Sequence, residues 1–193
     1  MGSREAILAK IKANKPELLE LPKVDPTLFD EGKDLLKEFT KKVEVVGGNV
    51  FSASSNQDIV GQVQSLYPDT KNNFSQLDGT PYFNTLNLEE IKNPKELEDL
   101  DVLIIESKLA VAENGSVWLE DINIPMRVLP FITKHLVLVV KKENIVPYMH
   151  QAFEIITKTD YGVFISGPSK TADIEQSLVI GAHGALSLSI FVL

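Results

Sequence analysis

The chain has 193 residues, 44% hydrophobic and 24% charged, a composition typical of a soluble globular protein long enough to bury one full core. Its formal charge of −8, with no basic run longer than two lysines, argues against nucleic-acid binding, because phosphate neutralisation needs clustered Lys and Arg. The chain has no cysteine, which excludes disulfides, thiolate nucleophiles, Cys-ligated zinc and iron–sulfur clusters held by this chain.

The N-terminal residues are polar and helical in character and carry no apolar signal core. No stretch of the sequence approaches 18 uninterrupted apolar residues, so no membrane span is expected. A cytoplasmic location is therefore the expectation.

The first 42 residues are predicted to form a helical lead-in. Residues 3–13 have the apolar spacing of a short amphipathic helix, and residues 27–41 show the same spacing. The segment between them, up to Pro26, contains several prolines and is typical of a linker, because proline interrupts regular structure.

The next segment, up to residue 86, gives weaker signals. Short β-like runs, Val43 to Val46 and Val50-Phe51, flank Gly47-Gly48. Apolar residues between 59 and 63 mark another helix, and the polar stretch 67–86 is predicted to be a loop with at most one strand.

Residues 94–119 contain the clearest β signals. Pro94 to Leu100 is predicted to be helical and leads into 101–105, an apolar run of the kind found in buried strands. Residues 109–119 alternate around Asn114-Gly115, which predicts a hairpin because this dipeptide favours a tight turn.

The remaining elements complete an α/β pattern. Leu136 to Val140 is an apolar run, 149–156 has helical spacing, and a last apolar run spans Leu186 to Leu193. Strand-like runs separated by helices predict an open, mixed, largely parallel sheet flanked by helices. One domain over residues 1–193 is expected, with 43–193 as its α/β core.

The leading candidate for a site is Ile165-Ser-Gly-Pro-Ser-Lys-Thr-Ala-Asp-Ile-Glu175. We predict a strand, a turn and then a helix that opens at Thr171, whose free N–H groups attract anions. Hydroxyls in this segment would hold a carboxylate or phosphate, and Lys170 would add a positive charge. The alternative is a plain turn in which Thr171 caps the helix and acidic residues such as Asp173 favour its dipole.

Three further side chains are candidates, each with a structural alternative. His183, between Gly181 and Gly184, could transfer a proton near neutral pH, or could cap the end of the same helix. Glu113 at the hairpin could act as a general acid or base, or be a solvated turn carboxylate. Arg127 could bind a carboxylate ligand, or form a structural ion pair.

Several well-known motifs are absent. The sequence has no GxGxxG after a strand, no GxxxxGK[ST], no GxSxG and no HExxH. Its three histidines have no metal-binding spacing, so no metal site is expected. These absences disfavour dinucleotide-dependent dehydrogenases, P-loop NTPases, serine hydrolases and zinc proteases.

Several segments together resemble the LUD domain of the lactate-utilisation protein C family. The matching strings, in order, are Ala112-Glu-Asn-Gly-Ser116, Arg127 with Leu129-Pro130, His135 before an apolar run, the 165–175 string and Gly181-Ala-His-Gly184. The resemblance is strong from residue 101 onward and weak between 43 and 100. It implies the fold type shared by ribose-5-phosphate isomerases and CoA transferases (NagB/RpiA/CoA-transferase-like).

The resemblance also implies a function. Members of the family take part in bacterial oxidation of L-lactate to pyruvate alongside two partner proteins with iron–sulfur clusters. On this basis the pocket would be lined by nine residues: Glu113, Arg127, Ser166, Gly167, Ser169, Lys170, Thr171, Asp173 and His183. His183 or Glu113 would move a proton, the others would bind a small carboxylate or phosphate, and this chain would bind no cofactor itself.

Three departures from the family pattern mark a divergent member. The usual Glu-Thr-Gly is Glu113-Asn114-Gly115, the usual His-Gly-Pro is His183-Gly184-Ala185, and a Thr-Gly-Ala lead-in is replaced around residues 105–108. Two alternative functions therefore stay open: a non-catalytic assembly or regulatory subunit of the same complex, and an isomerase- or ligase-like enzyme acting on a phosphorylated small molecule.

Overall fold

The structure is a computed structural model that describes residues 2–20, 22, 23, 25, 28, 32, 34–157, 159–171 and 179–193. The chain divides into two compact units, 1–30 and 31–193.

The described part of the first unit includes helix α1 (Ser3–Ala13), as predicted. The Glu5 carboxylate accepts a hydrogen bond from the Gly2 amide at its start, which satisfies one of the amides that a helix leaves unpaired. None of its residues is buried, and its apolar side chains Ile7, Leu8 and Ile11 are each more than half exposed.

The second unit carries the remaining regular structure. Its described α-helices are α2 (Leu35–Val45), α3 (Asn56–Leu66), α4 (Leu129–Ile132) and α5 (Met149–Ile155). Its described strands are β1 (Asn49–Ser52), β2 (Asn73–Ser75), β3 (Val102–Ser107), β4 (Ala110–Val111), β5 (Ser116–Glu120), β6 (His135–Val140), β7 (Ile145–Val146), β8 (Gly162–Ile165), β9 (Lys170–Thr171), β10 (Val179–Ile180) and β11 (Ser187–Val192). No described helix is both long enough and apolar enough to span a bilayer.

Five strands form a parallel sheet in the order β1-β11-β6-β3-β2. In the centre, Leu138 of β6 lies beside Ile190 of β11 on one side and Ile105 of β3 on the other. These strands are apolar along nearly their whole length because both faces of the sheet are covered. The predicted largely parallel α/β fold is confirmed.

A second sheet has the order β7-β4-β5-β8 and is mixed. Strands β4 and β5 form the predicted hairpin, and Gly115 at its tip has φ of 66°, a conformation that glycine adopts without strain. Strand β8 pairs antiparallel with β5, and among the described residues no other strand pairs with it.

The two sheets pack face to face. Their shared core combines buried side chains of the first sheet, such as Leu138, with those of the second, such as Leu119, and with Phe39 and Val43 of α2. Helix α3 covers the opposite face of the first sheet. Helix α5 covers the outer face of the second sheet through Ala152.

Helix α2 corrects one prediction. It begins at Leu35, where the Asp34 carboxylate accepts hydrogen bonds from two helix amides, and it continues through Val45. The prediction of a β-like run from Val43 to Val46 is therefore wrong, because these residues form the end of the helix. Val43 lies four positions after Phe39 and shares its buried face.

Two further predictions differ from the structure. Helical structure over 94–100 is limited to a single 3-10 turn, Pro94–Leu97. The sequence analysis predicted that a helix begins at Thr171. This start is wrong, because Thr171 lies in β9 and pairs with Val179 of β10. The rest of that prediction, 172–178, lies outside the described residues.

Candidate functional site

A cleft of about 330 Å³ lies where the amino ends of β6 and β11 meet the carboxyl end of β8. Its walls come from Pro130 and Phe131 of α4, the start of β6 and strand β8. The segments 166–170 and 183–185 close its polar end. The cleft thus brings together two segments that the sequence analysis singled out.

The bend at 166–168 is held between two other elements. Gly167 has φ of 77°, and a Cβ at this position would lie 2.7 Å from the Val46 carbonyl oxygen at the end of α2. On the other side, the Ser166 hydroxyl donates a hydrogen bond of 2.9 Å to the Asn114 carbonyl at the hairpin tip. Close packing therefore restricts which residues fit at this bend, in addition to any requirement of a ligand.

The amide groups of the bend are only partly free. The Ser169 amide donates to the Ala185 carbonyl at 2.9 Å, and the Ser169 carbonyl accepts from the Gly181 amide at 3.0 Å. The Ser169 amide is therefore already paired and is no longer one of the predicted donors to an anion. The amides of Ser166 and Gly167 find no acceptor within the described residues, which leaves these two as the candidate donors to an anion.

Lys170 brings a positive charge to the polar end of the cleft. Its ammonium group lies beside Gly47, where an added Cβ would be 3.0 Å from Nζ. Gly47 and Gly48 end α2 by donating their amides to the Glu44 and Val43 carbonyls, a common glycine-dependent way to end a helix. The negative end of the helix dipole favours an ammonium group at this place.

His183 lies in the turn that follows β10, and not at the end of a helix as predicted. Its side chain is exposed and lines the cleft. The turn approaches the bend closely, since a Cβ at Gly184 would lie 3.1 Å from the Cβ of Ser169. His183, Ser166, Gly167, Ser169 and Lys170 therefore share one cleft.

Glu113 and Arg127 do not line this cleft. The Glu113 carboxylate accepts a hydrogen bond of 2.8 Å from the Met149 amide at the start of α5, which makes it a helix cap.

The Arg127 guanidinium donates to both carboxylate oxygens of Asp121, at 3.0 and 2.9 Å, and lies 4.8 Å from the centre of the Tyr161 ring. Hydrogen bonding to Asp121 raises the pKa of Arg127 above its ordinary value. The geometry matches the structural ion pair that the sequence analysis kept as its alternative.

The last two predicted site residues are also outside the cleft or undescribed. Thr171 is in β9 and does not contribute to the walls. Asp173 lies outside the described residues. Within the part of the chain that the structure describes, no three His, Asp or Glu side chains converge as metal ligands would.

The sequence analysis missed two contributors to the site. Gly47, which lies beside the Lys170 ammonium group, was noted only as part of a break between two β-like runs, although a glycine pair after an amphipathic helix is a recognisable helix end. Phe131 gave no signal because α4 is only one turn long.

A separate polar cluster lies on the α3 face of the first sheet. The Nδ1 atom of His135 and the Ser187 hydroxyl are 2.8 Å apart, and the Tyr67 hydroxyl lies 3.1 Å from Ser187 and 2.9 Å from Ser189. The rings of Tyr67 and His135 stack with centroids 4.1 Å apart. Burial lowers the pKa of His135 below its ordinary value.

Comparison with known proteins places this architecture in a family. The model of the LUD domain family matches residues 83–193, which is more than half of the chain. The chain belongs to the LUD domain family. The match contains every segment that lines the cleft, and the predicted family assignment is confirmed.

Two relatives named lactate utilization protein C show the level of similarity within this LUD family. The one from Geobacillus thermodenitrificans is 36% identical over 103 residues, and the one from Bacillus subtilis strain 168 is 39% identical over 104. The alignments cover 49% and 48% of this chain but only 43% and 42% of the relatives. The chain thus spans less than half the length of the curated relatives it matches.

A solved structure supports the fold. The crystal structure of a DUF162 family protein from Deinococcus radiodurans superposes on this LUD protein with a TM-score of 0.63. The superposition covers 82% of this chain and 95% of the other at 17% sequence identity. At this identity the likeness concerns the fold alone.

Proposed function

We propose that this LUD protein is a cytoplasmic subunit of a bacterial system that oxidises L-lactate to pyruvate together with iron–sulfur partner proteins. The observation that carries the proposal is its similarity to the proteins named lactate utilization protein C. The region matched by the LUD domain model includes the cleft, so the cleft is the place where we expect a small acid to bind.

The polar end of the cleft suits a carboxylate. Lys170 supplies a positive charge, and the amides of Ser166 and Gly167 supply donors that no described protein group uses. His183 is the residue we propose to accept the hydroxyl proton, because an imidazole can exchange protons near neutral pH. Arg127 and Glu113 take no part in this scheme, since other protein groups already engage both.

The oxidation requires an electron acceptor outside this chain. L-lactate loses two electrons and two protons when the C2 hydroxyl becomes the keto group of pyruvate. A chain without cysteine offers no thiolate ligands for an iron–sulfur cluster. We therefore propose that the hydroxyl proton passes to His183, while the C2 hydrogen leaves with the electron pair to a two-electron acceptor on the partner proteins. Their iron–sulfur clusters carry the electrons onward, and this subunit binds the acid.

Calorimetric titration with L-lactate and pyruvate tests binding, first with the full chain alone and then with the partners added. We expect millimolar or tighter binding that Lys170→Gln weakens about tenfold or more. The matched control is Lys142→Gln, an exposed lysine just after the carboxyl end of β6, at the opposite end of that strand from the cleft. Absence of heat at millimolar acid in both settings contradicts the proposal.

A second candidate is a non-catalytic assembly subunit, which the exposed apolar side chains Ile7, Leu8 and Ile11 of α1 favour. Lactate-dependent reduction of a dye by the reconstituted complex distinguishes the two. Loss of activity in His183→Gln and Lys170→Gln, with partner capture intact, supports the acid-binding role. Full activity in both variants supports the assembly role.

A further inference from the structure

The cleft has one polar end and a longer apolar wall. Besides the groups that face the carboxylate, it is lined by Phe131, Val163 and Ile165, which are all partly exposed. Apolar walls contribute to affinity only when the ligand covers them with apolar surface of its own. A ligand that occupied the polar end alone would leave these walls in contact with water.

The size of the cleft exceeds what lactate needs. Lactate has six non-hydrogen atoms and fills roughly 100 Å³, about three times the share of liquid volume that one water molecule takes. The cleft has about 330 Å³, a volume within the range of sites that hold larger organic ligands. A three-carbon acid at Lys170 would leave most of this space unfilled.

Phe131 adds an independent sign of an apolar ligand. The one-turn helix α4 buries Leu129 and Pro130 in the protein but leaves Phe131 42% exposed at the cleft. Covering an aromatic ring with apolar surface is favourable, and a ring-bearing ligand can also stack against it.

We infer that the cleft prefers 2-hydroxy or 2-oxo acids with a bulky apolar side chain over lactate itself. This inference rests on the proposed function, because it keeps the carboxylate at Lys170 and the two amides. The side chain then extends along β8 and covers Phe131 and Val163. The apolar wall distinguishes between acids with different side chains, whereas the charged end binds the carboxylate that all of these acids share.

Titration of the unaltered chain with L-lactate and L-3-phenyllactate tests the inference. The two acids share the carboxylate and hydroxyl and differ only in a phenyl group. We expect phenyllactate to bind at least tenfold more tightly, as burial of part of a phenyl group at this wall implies. Because this comparison needs no variant, it decides the matter even if a substitution in α4 fails to fold.

Variants then locate the effect. Phe131→Ala should reduce the preference for phenyllactate to about threefold or less, because it should weaken the binding of phenyllactate more than the binding of lactate. The matched control Phe153→Ala alters another exposed phenylalanine, on α5 and outside the cleft, and should keep the full preference. Lys170→Gln should weaken the binding of both acids by the same factor.

The outcomes separate this inference from the proposed function. Equal binding of the two acids overturns the inference while the acid-binding site stands. A preference that Phe131→Ala leaves intact also overturns it, because the phenyl group then binds elsewhere. If neither acid binds, either to the chain alone or with the partners added, the proposed function itself fails. Tighter binding of phenyllactate that depends on Phe131 supports the inference.

Discussion

At the scale of single residues, the bend after β8 depends on a glycine. Gly167 has a positive φ and lies against the end of α2, so a side chain there meets both backbone strain and a carbonyl oxygen. The amide of the same residue is one of the two at the bend that no acceptor within the described residues uses. Close packing and the proposed ligand binding therefore both favour glycine at this position.

Replacing Gly167 with alanine should lower the free energy of unfolding by about 1–3 kcal/mol, the usual cost of a strained backbone position. Urea denaturation monitored by circular dichroism measures it. The matched control is Gly61→Ala in α3, where an added Cβ meets nothing within 4 Å. It should be neutral or stabilising by up to about 1 kcal/mol, because alanine favours the helix. Similar effects of the two substitutions would contradict the packing argument.

Asp101 shows how one carboxylate organises several backbone segments. It accepts hydrogen bonds from the Lys134 ammonium at 2.7 Å and from the amides of Lys71 and Asn72 at 2.9 and 3.1 Å. Burial by itself raises the pKa of Asp101, but these three donors outweigh it and lower the pKa to about 2. The charged form is thus the form that stabilises the fold.

This depressed pKa predicts acid sensitivity. Stability from Asp101 is fully present above the unfolded-state pKa of about 4 and is lost as the pH falls through about 2. Asp101→Asn should lower the free energy of unfolding by about 1–2 kcal/mol at pH 7 and by much less near pH 2. Urea titrations at the two pH values measure the difference. An equal loss at both would show that the charge is not the cause.

At the scale of elements, α3 is joined to the first sheet by the polar cluster of Tyr67, His135, Ser187 and Ser189. Hydrogen bonds satisfy these groups at the end of an otherwise apolar interface, where an unpaired polar atom would be costly. The cluster thus fixes how the helix end sits over β6 and β11.

The lowered pKa of His135 gives the cluster a pH dependence. The unfolded chain binds a proton at this residue below about pH 6.5, whereas the folded chain resists protonation until lower pH. Its contribution is therefore complete above about pH 6.5 and declines as the pH falls below that value. His135→Gln should flatten the change in stability between pH 7 and pH 5, as followed by urea denaturation.

Tyr67→Phe is the control for this prediction. It removes two hydrogen bonds but keeps the ring that stacks on His135. We expect a loss of about 1 kcal/mol at every pH with the slope retained. If His135→Gln keeps the slope of the parent protein, another group is responsible.

At the scale of the whole molecule, the cleft lies at the amino edge of the parallel sheet, although open α/β sheets usually bind ligands at the carboxyl edge. The reason is the second sheet. Its strand β8 ends beside the start of β6 and delivers the bend to that edge.

The core belongs to the second unit. Every described hydrophobic residue that is buried lies at or after Phe39, and α1 buries none. A variant lacking residues 1–30 should therefore unfold at about the same urea midpoint as the full chain, because every described residue in that range is exposed. A midpoint lowered by about 0.5 M or more, which corresponds to about 0.5–1.5 kcal/mol at the usual urea m-values, would assign residues 1–30 a stabilising role.

Much of the architecture followed from local pattern. Continuous apolar runs predicted β3, β6 and β11, and Asn114-Gly115 predicted the hairpin, because these signals depend on neighbours in sequence. The end of α2 was misjudged as a strand, since a short apolar run fits either element until its packing is known.

The candidate site, like the fold, was predicted only in part from the sequence. The sequence alone determined the family and the α/β fold and predicted the 165–170 and 181–184 segments as candidates for the site, because motif residues and periodicity are properties of the chain itself. Only the tertiary structure decided which side chains meet: it joins Lys170 and His183 at one cleft, adds Phe131, and pairs Arg127 with Asp121 and Glu113 with the start of α5. Charged groups take the nearest partner in space, and proximity in space is fixed by the packing of two sheets that the linear order does not reveal.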